Sequence, residues 1–99
     1  MAQYRFTRQA ENDLDSMMDF SFQKWGAKQS LVYLDGLEEL AQNLADFPDL
    51  GTDRTGLFKG LLSFPYLSHV LFYTKQPHGI TVARVLHKRM EPKRHLLQL

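Results

Sequence analysis

The chain has no cysteine among its 99 residues. That absence excludes a disulfide-stapled scaffold, a cysteine-ligated zinc site and thiol catalysis, and it is typical of a protein of the cytoplasm. Long apolar runs are also missing, because none approaches the roughly 18 residues that a membrane-spanning helix needs. The N-terminal residues lack the apolar segment of a secretory signal peptide. We therefore expect a cytoplasmic protein without a membrane partner.

No residue class is extreme in the composition. Hydrophobic residues make up 43% of the chain and charged residues 23%, which are ordinary values for a globular protein. This balance excludes a disordered tail and a collagen-like fibre, and the length is too short for a two-domain enzyme. We expect one domain that spans residues 1–99, with enough apolar side chains for one core.

Charge is unevenly distributed along the chain. Residues 1–50 contain four basic and nine acidic side chains, whereas residues 51–99 contain eight basic and two acidic ones. The first half therefore carries a net charge of −5 and the second half +6. Such polarity can present a basic face to an acidic partner or to nucleic acid. Alternatively, the two halves neutralise each other once the chain folds, and the sequence leaves both possibilities open.

The first half of the chain has the pattern of a helical hairpin. After a short alternating segment, Gln3–Thr7, apolar residues recur every three or four positions up to Trp25. Thr7 suits the N-cap of this helix, and Gly26 suits its end. A second helix is predicted from about residue 27 to residue 47. Two helices with a connector of one or two residues form an αα-hairpin.

The hydrophobic period changes to about two in the second half. Strands are predicted at 57–62, 67–74 and 80–86, with a break at 64–66. A tight turn at 76–79 joins the last two strands into an antiparallel hairpin. We therefore predict an α+β fold in which an N-terminal strand is followed by an α-helical hairpin packed on a small antiparallel β-sheet.

Both faces of the predicted strands carry apolar side chains. One face packs on the helices, so the other face needs a further cover. Three C-terminal leucines can pack on this second face or insert into a partner, namely Leu96, Leu97 and Leu99. The core of the helical hairpin is expected to contain Met17, Met18, Trp25, Tyr33 and Phe47. Alternatively, some of these side chains line a groove that a bound helix or an added strand covers.

Four short stretches span nearly the whole chain in a characteristic order. They are Tyr4-Arg5-Phe6-Thr7 with Ala10 and Asp13-Leu14; Trp25-Gly26 followed by Tyr33; Phe47-Pro48-Asp49-Leu50-Gly51 with Arg54 and Leu57; and His69-Val70-Leu71-Phe72-Tyr73 followed by Arg84-Val85-Leu86-His87, Arg89-Met90-Glu91 and Arg94. Their joint order and spacing resemble those of the RelE/ParE superfamily. The residues within these stretches are more similar to those of the ParE branch, the ParE-type toxins of type II toxin–antitoxin modules.

The resemblance implies a toxin that stops growth when it is free. In the ParE branch the toxin inhibits DNA gyrase by binding it, and an antitoxin wraps a C-terminal segment around the toxin. We therefore expect DNA gyrase as the target and a ParD-like, ribbon-helix-helix antitoxin that forms a hetero-oligomer with the chain. No enzyme activity and no cofactor are expected. Toxins of the RelE branch instead cleave mRNA within the ribosome, and a metal-independent endoribonuclease of this type is one alternative. A further alternative is a relic that binds an antitoxin but has no toxicity, because Leu62 precedes Ser63-Phe64-Pro65 where many relatives have an arginine.

Metal-free RNA cleavage needs a base, an acid and cations that stabilise the phosphorane. The candidates for these roles are Lys59, Arg84, His87, Arg89 and His95. RelE-type toxins resemble this scheme with a C-terminal Tyr, Glu or His, but no tyrosine follows Tyr73. In a regular strand Arg84 and His87 also point to opposite faces. Both facts favour a binding toxin. The four histidines lack metal-ligand spacing, so we expect no metal site.

Two sets of residues are candidates for binding. The basic C-terminal cluster consists of Lys88, Arg89, Lys93 and Arg94. The target set is Arg89, Lys93 and Arg94 of this cluster together with His87. The antitoxin set is Trp25, Tyr33, Arg54 and Arg84. Each set has a structural alternative. Arg84 shares its predicted strand face with Ile80, Val82 and Leu86, so it can form an internal ion pair with an acid of the first helix. The basic cluster can be a solvated tail, and His87 can be a hydrogen-bonded residue at a strand end.

Overall fold

The computed structural model describes residues 2–96. In chain order the elements are β1 (Gln3–Phe6), α1 (Arg8–Trp25), α2 (Ala27–Asp46), a 3₁₀ turn (Pro48–Leu50), β2 (Thr52–Asp53), β3 (Leu61–Tyr66), β4 (His69–Gln76), β5 (Gly79–His87) and α3 (Pro92–Leu96). The strands form one sheet in the order β1-β5-β4-β3-β2, and α1 and α2 pack on one of its faces. The predicted α+β fold is confirmed. Within these residues no helix has both the length and the apolar character that a membrane span requires.

One strand pair differs from the predicted antiparallel sheet. β1 runs parallel to β5, with Gln3 opposite Gly79 and Phe6 opposite Val82, whereas the other neighbours are antiparallel. Tight turns join β3 to β4 and β4 to β5, and such turns impose antiparallel pairing. β1 is separated from the other strands by the whole helical hairpin, so its direction depends on how that hairpin packs. The alternating pattern of β1 contains no information on this direction.

Thr7 caps α1, as predicted. Its Oγ1 accepts the N–H of Ala10 at 3.1 Å, and its hydroxyl donates to the carbonyl oxygen of Ala83 at 2.7 Å. The same side chain therefore satisfies a free N–H of the first helical turn and ties the start of α1 to β5. Gly26 separates the two helices with a φ of 86°, a backbone conformation that favours glycine. The helical hairpin is thus confirmed.

The third strand lies later in the chain than predicted. Residues 57–60 form turns, and β3 runs through Phe64-Pro65-Tyr66. The predicted strand at 57–62 and the predicted break at 64–66 are therefore wrong. Gly60 has a φ of 81°, so it lies in the turn that precedes β3 and not within a strand. Pro65 is tolerated inside β3 because β2 covers only the start of that strand, which leaves the rest of this edge open.

The β4–β5 hairpin is confirmed, with a small shift of its first strand. β4 begins at His69 because Leu67, at a φ of 52°, and Ser68 form the turn after β3. Pro77 and His78 form the turn between β4 and β5. The two strands pair from His69 opposite His87 to Gln76 opposite Gly79.

The main core lies between the helical hairpin and the sheet. Its buried members are Ala10, Met17, Tyr33, Leu37, Ala41, Leu44, Ala45, Leu71, Tyr73, Ile80, Val82 and Val85. Met17 and Tyr33 are buried as predicted, and Met18 packs against this core. The prediction is wrong for Trp25 and Phe47, which are 47% and 65% exposed. Trp25 ends α1 and Phe47 follows α2, where the chain turns away from the interface between helix and sheet.

A second, smaller core covers the other face of the sheet. Its buried members are Leu61, Phe72, Ala83, Leu86 and Leu96. Leu96 belongs to α3 and is fully buried, so the C-terminal segment covers this face, as one of the two predicted alternatives has it. Leu97 and Leu99 lie outside the described residues.

An ion pair joins α1 to β5. The Asp13 carboxylate accepts hydrogen bonds from Arg84 Nε at 2.7 Å and Nη2 at 2.9 Å, and from the N–H of Val85 at 3.0 Å. Arg84 Nη1 also donates to the carbonyl oxygen of His95 in α3, at 2.8 Å. The side chains of Arg84 and Asp13 are only 15% and 16% exposed. Hydrogen bonding to Asp13 raises the pKa of Arg84, against the opposing effect of burial.

A β-bulge determines which way Arg84 faces. Tyr73 pairs with Val82 and Phe72 pairs with Arg84, so Ala83 has no partner in β4. One extra residue moves every later side chain of a strand to the opposite face. Arg84 therefore does not share a face with Val82, contrary to the sequence prediction. The predicted ion pair between Arg84 and an acid of the first helix is nevertheless present.

Asp13→Asn removes the charge from this ion pair and keeps the shape of the side chain. The Arg84 guanidinium then stays largely buried without a counter-charge, so we expect the free energy of unfolding to fall by about 3 kcal/mol. The matched control is Asp15→Asn, an exposed acid of the same helix, with an expected change below about 0.5 kcal/mol. Urea unfolding followed by circular dichroism measures both. Equal losses in the two variants would contradict this role for Asp13.

Candidate partner-binding groove

A groove opens between α1, α2, the β3–β4 turn and the end of β5, with a volume of about 480 Å³. We call it the α1–β5 groove. The side chains that line it are aromatic, apolar, basic and imidazole groups together with two serines: Phe20, Ser21, Lys24, Trp25, Tyr33, Leu67, Ser68, His69, His87, Lys88 and Arg89. The groove thus combines residues from both ends of the chain.

Trp25 forms the aromatic wall of this groove. Its ring stacks on Tyr33, with ring centroids 6.5 Å apart and planes 25° apart. Phe20 meets Trp25 edge-on at 6.5 Å, and the Lys24 ammonium lies 5.2 Å from the centroid of the Trp25 ring. Trp25 and Phe20 are 47% and 59% exposed. Exposed aromatic rings that are already held in place are typical of surfaces that bind a protein partner.

Tyr33 is held from two sides. Its hydroxyl lies 2.8 Å from Nδ1 of His69. Tyr66 donates its hydroxyl to the backbone carbonyl of Tyr33 at 2.7 Å, and a side chain at Gly36 would overlap that same hydroxyl. Burial raises the pKa of Tyr33, so the phenol stays neutral. Helix α2 and strand β3 therefore fix the floor of the groove.

The two histidines of the groove form a cross-strand pair. His69 and His87 lie opposite each other in β4 and β5, with ring centroids 5.3 Å apart. Burial lowers the pKa of His69, and the neighbouring His87 lowers it further, whereas Asp13 acts in the opposite direction. The backbone N–H of Arg89 donates to Nδ1 of His87 at 3.1 Å. His87 is therefore a hydrogen-bonded residue at the end of β5, which is the structural role considered from the sequence. It also faces the groove.

The basic C-terminal cluster is exposed. Lys88 and Arg89 follow β5, and Lys93 and Arg94 lie on α3. Among residues 2–96, none of these four side chains forms an ion pair. Arg89 lines the α1–β5 groove, whereas Lys93 and Arg94 do not. The cluster therefore has two separable parts.

The groove brings together residues that the sequence assigned to different partners. His87 and Arg89, predicted to contact the target, line it beside Trp25 and Tyr33, predicted to contact the antitoxin. More than sixty residues separate Trp25 from His87 along the chain. These four assignments stay predictions, but their common location is a property of the fold.

The two arginines of the predicted antitoxin set lie elsewhere. Arg54 follows β2, donates from Nε to the hydroxyl oxygen of Ser63 at 2.9 Å, and borders a smaller groove of about 160 Å³ beside Val70 and Phe72. Arg84 directs Nε, Nη1 and Nη2 to acceptors within the chain. The antitoxin roles of both residues stay predictions, and the contacts of Arg84 show a structural role.

The candidates for RNA cleavage do not converge on the α1–β5 groove. His87 and Arg89 line it, but Lys59, Arg84 and His95 do not. Arg84 is engaged by Asp13, and the backbone carbonyl of His95 accepts from Arg84. The described residues also contain no group of three or more histidine, aspartate or glutamate side chains that could hold a metal ion.

Several groove residues were missed by sequence reasoning, including three with large exposed side chains. Phe20, Lys24 and Leu67 line the groove, although none was a candidate for binding. Phe20 and Lys24 lie four residues apart on α1, off the apolar stripe, and this exposed aromatic–basic pair was the available signal. Leu67 gave no local signal, because its exposure comes from the β3–β4 turn.

Comparison with known proteins places the chain in a family. Residues 4–92 match the family described as the ParE toxin of type II toxin-antitoxin system, parDE. Toxin ParE1 of Caulobacter vibrioides is 33% identical over 96 residues, which cover 97% of this chain and 99% of that protein. Toxin ParE1 of Mycobacterium tuberculosis is 31% identical over 96 residues, which cover 96% and 98%.

A solved structure shares the fold. It is a chain of the chromosomal ParDE TA system from P. aeruginosa, with a TM-score of 0.73 and 19% sequence identity, and the match covers 88% of this chain and 96% of that one. The fold and the groove thus define a small α+β protein with an aromatic and basic groove on its surface. The chain belongs to the ParE toxin family of type II toxin–antitoxin systems. The predicted class, a ParE-type toxin of a type II toxin–antitoxin system, is confirmed.

The lowered pKa of His69 predicts how stability depends on pH. In the unfolded chain His69 has the ordinary histidine pKa of about 6.5, and in the folded chain its pKa is lower. Between these two pKa values the unfolded chain binds more protons than the folded chain, so the free energy of unfolding rises with pH there. His69 makes its full contribution to the free energy of unfolding above about pH 6.5, and this contribution is lost as the pH falls through the lower pKa of the folded state. His69→Asn removes this titration and keeps a polar atom near Tyr33. Urea unfolding at about pH 5.5 and 7.5 should show a smaller acid loss in the variant, and identical losses would refute the assignment.

Proposed function

We propose that this chain is a toxin that inhibits DNA gyrase by binding it, and that a ribbon-helix-helix antitoxin of the ParD type neutralises it in a hetero-oligomer. The observation that carries the proposal is the family match across residues 4–92, which includes every side chain that lines the α1–β5 groove. Relatives that are named Toxin ParE1 and match over almost the whole chain support it.

The aromatic wall supports an antitoxin partner at the α1–β5 groove. Trp25, Phe20 and Leu67 are each about half exposed or more and lie side by side around one concave surface. Burying apolar surface contributes roughly 25 cal/mol per Å², so a partner segment that covers these side chains gains affinity. The stacking of Trp25 on Tyr33 already orders the wall, which lowers the entropic cost of binding.

The basic C-terminal cluster supports an acidic or phosphate-bearing target surface. Its four side chains are exposed, and within the described part of the chain no acidic side chain pairs with them. Basic side chains in this state steer association and pair with carboxylates or phosphates across an interface. Lys93 and Arg94 lie outside the groove, so they form the part of the cluster that tests target binding alone.

Trp25→Ala tests the antitoxin contact. We expect the dissociation constant for the antitoxin to rise at least about 30-fold, because an interface tryptophan in a concave site contributes more than about 2 kcal/mol. The matched control is Phe47→Ala, which removes an exposed aromatic side chain outside the groove and should change the constant less than about twofold. The probe is the purified antitoxin encoded by the neighbouring reading frame, measured by competition binding. Similar effects of both variants would place the antitoxin elsewhere.

Lys93→Ala with Arg94→Ala tests the target contact. Exposed charges contribute little to folding, so the double variant keeps its structure, but the concentration that half-inhibits supercoiling by purified gyrase should rise at least about tenfold. Arg5→Ala with Arg8→Ala is the control, because it removes the same charge from two exposed positions at the other end of the chain. Antitoxin affinity is measured in parallel and should stay unchanged in both.

Two results would contradict the target contact assigned to Lys93 and Arg94, and a third would contradict the gyrase proposal itself. Full inhibition by the Lys93 and Arg94 double variant would move the target site elsewhere on the toxin. An equal loss of gyrase inhibition in the Arg5 and Arg8 control would show that only the net charge of the toxin matters. Absence of gyrase inhibition by the unaltered chain, together with cleavage of ribosome-bound mRNA that His87→Ala abolishes, would favour the RelE-type endoribonuclease instead.

A further inference from the structure

The α1–β5 groove is positively charged, and none of its lining side chains is acidic. Lys24, Lys88 and Arg89 line it, and within residues 2–96 none of the three forms an ion pair. The ion pairs of the described chain lie elsewhere, with Asp13 on Arg84 and Asp49 on Lys75. The charge of the groove is therefore not compensated by its own walls.

The imidazole of His87 also offers a donor to this groove. Because the N–H of Arg89 donates to Nδ1 of His87, that nitrogen is an acceptor and the neutral ring carries its hydrogen on Nε2. Nδ1 of His69 is taken by the hydroxyl of Tyr33. Besides the two serines, the groove thus offers a ligand the ammonium groups of Lys24 and Lys88, the guanidinium of Arg89 and the ring N–H of His87. All of these donate hydrogen bonds, and an anionic acceptor complements them.

The apolar side chains beside these donors restrict the kind of anion. Trp25 and Leu67 are 47% and 64% exposed and line the same groove. A carboxylate on an aliphatic stem, within a peptide segment, complements both parts of the groove: the carboxylate accepts from the donors, and the segment packs on the apolar side chains. A volume of about 480 Å³ is on the scale of a site for a few side chains. A nucleic-acid backbone needs an extended series of phosphate contacts instead.

We infer that the α1–β5 groove receives a glutamate or aspartate side chain of the antitoxin. Its carboxylate pairs with Arg89, and the segment that bears it packs against Trp25 and Leu67. This inference rests on the proposed function and names the chemistry by which the antitoxin is held. Because Arg89 belongs to the basic cluster proposed for gyrase, the bound carboxylate neutralises a target-binding cation directly.

Arg89→Gln against Arg8→Gln tests this inference. Both variants replace an exposed arginine by the same polar side chain, but only Arg89 lines the groove. The dissociation constant for the purified antitoxin of the neighbouring reading frame should rise about 30-fold for Arg89→Gln and less than about twofold for Arg8→Gln. Circular dichroism and thermal unfolding of both variants verify that the fold is kept.

The partner carboxylate is then identified from the antitoxin side. Each glutamate and aspartate of the antitoxin is replaced by its amide, one at a time. One such change should weaken binding to the unaltered toxin about as much as Arg89→Gln does. It should weaken binding to Arg89→Gln no further, since the two side chains act as a pair in a double-mutant cycle.

The outcomes separate the inference from the proposed function. If the antitoxin binds the unaltered chain and Arg89→Gln has no more effect than Arg8→Gln, the carboxylate site is wrong and the proposed function stands. If every amide substitution weakens binding to Arg89→Gln as much as to the unaltered chain, the site is also wrong. No binding of the antitoxin at all overturns both. An oligonucleotide that displaces the antitoxin and loses this ability with Arg89→Gln would overturn the inference in favour of a phosphate site.

Discussion

The ion pair of Asp13 and Arg84 connects α1 and α3, which pack on opposite faces of the sheet, through β5 at an open edge. β1 ends before the bulge in β5, so beyond Ala83 the outer edge of β5 has no neighbouring strand. The Asp13 carboxylate accepts the N–H of Val85 on this edge, and Arg84 extends the network to the carbonyl oxygen of His95 in α3. Side chains of α1 thus satisfy backbone groups that a strand would satisfy elsewhere. The relative positions of α1, β5 and α3 depend on these bonds.

The α1–β5 groove depends on the same network. Trp25 lies at the end of α1, and His87 and Arg89 lie at the end of β5 and just after it. Because the ion pair holds α1 across β5, the distance between the aromatic wall and the basic wall of the groove is set by a contact outside the groove. A groove that holds both predicted antitoxin contacts and predicted target contacts provides a simple means of neutralisation. A partner that covers the aromatic wall also covers Arg89.

Local features of the fold could be predicted from the sequence. The cap at Thr7, the chain reversal at Gly26 and the β4–β5 hairpin each depend on interactions between residues close in the chain. The sequence also indicated an ion pair between Arg84 and an acid of the first helix, although not which acid, since an arginine among apolar strand residues needs a counter-charge. The prediction failed for β3, where Gly60 and Pro65 have effects that depend on which neighbouring strands are present. It also failed for Trp25, because the apolar period of a helix continues past the end of the surface on which the helix packs.

By itself the sequence determined the helical hairpin, the β4–β5 hairpin and the family, because these follow from local patterns and from the order of short motifs. Only the tertiary structure decided which of the candidate residues lie together. The bulge at Ala83 is the clearest case, since a regular strand in which Ala83 paired with β4 would turn His87 away from Trp25 and Tyr33. A bulge arises from the pairing of two strands and from the hydrogen bonds at the strand edge. No period or motif in β5 alone encodes it, so the groove could be recognised only after the chain was folded.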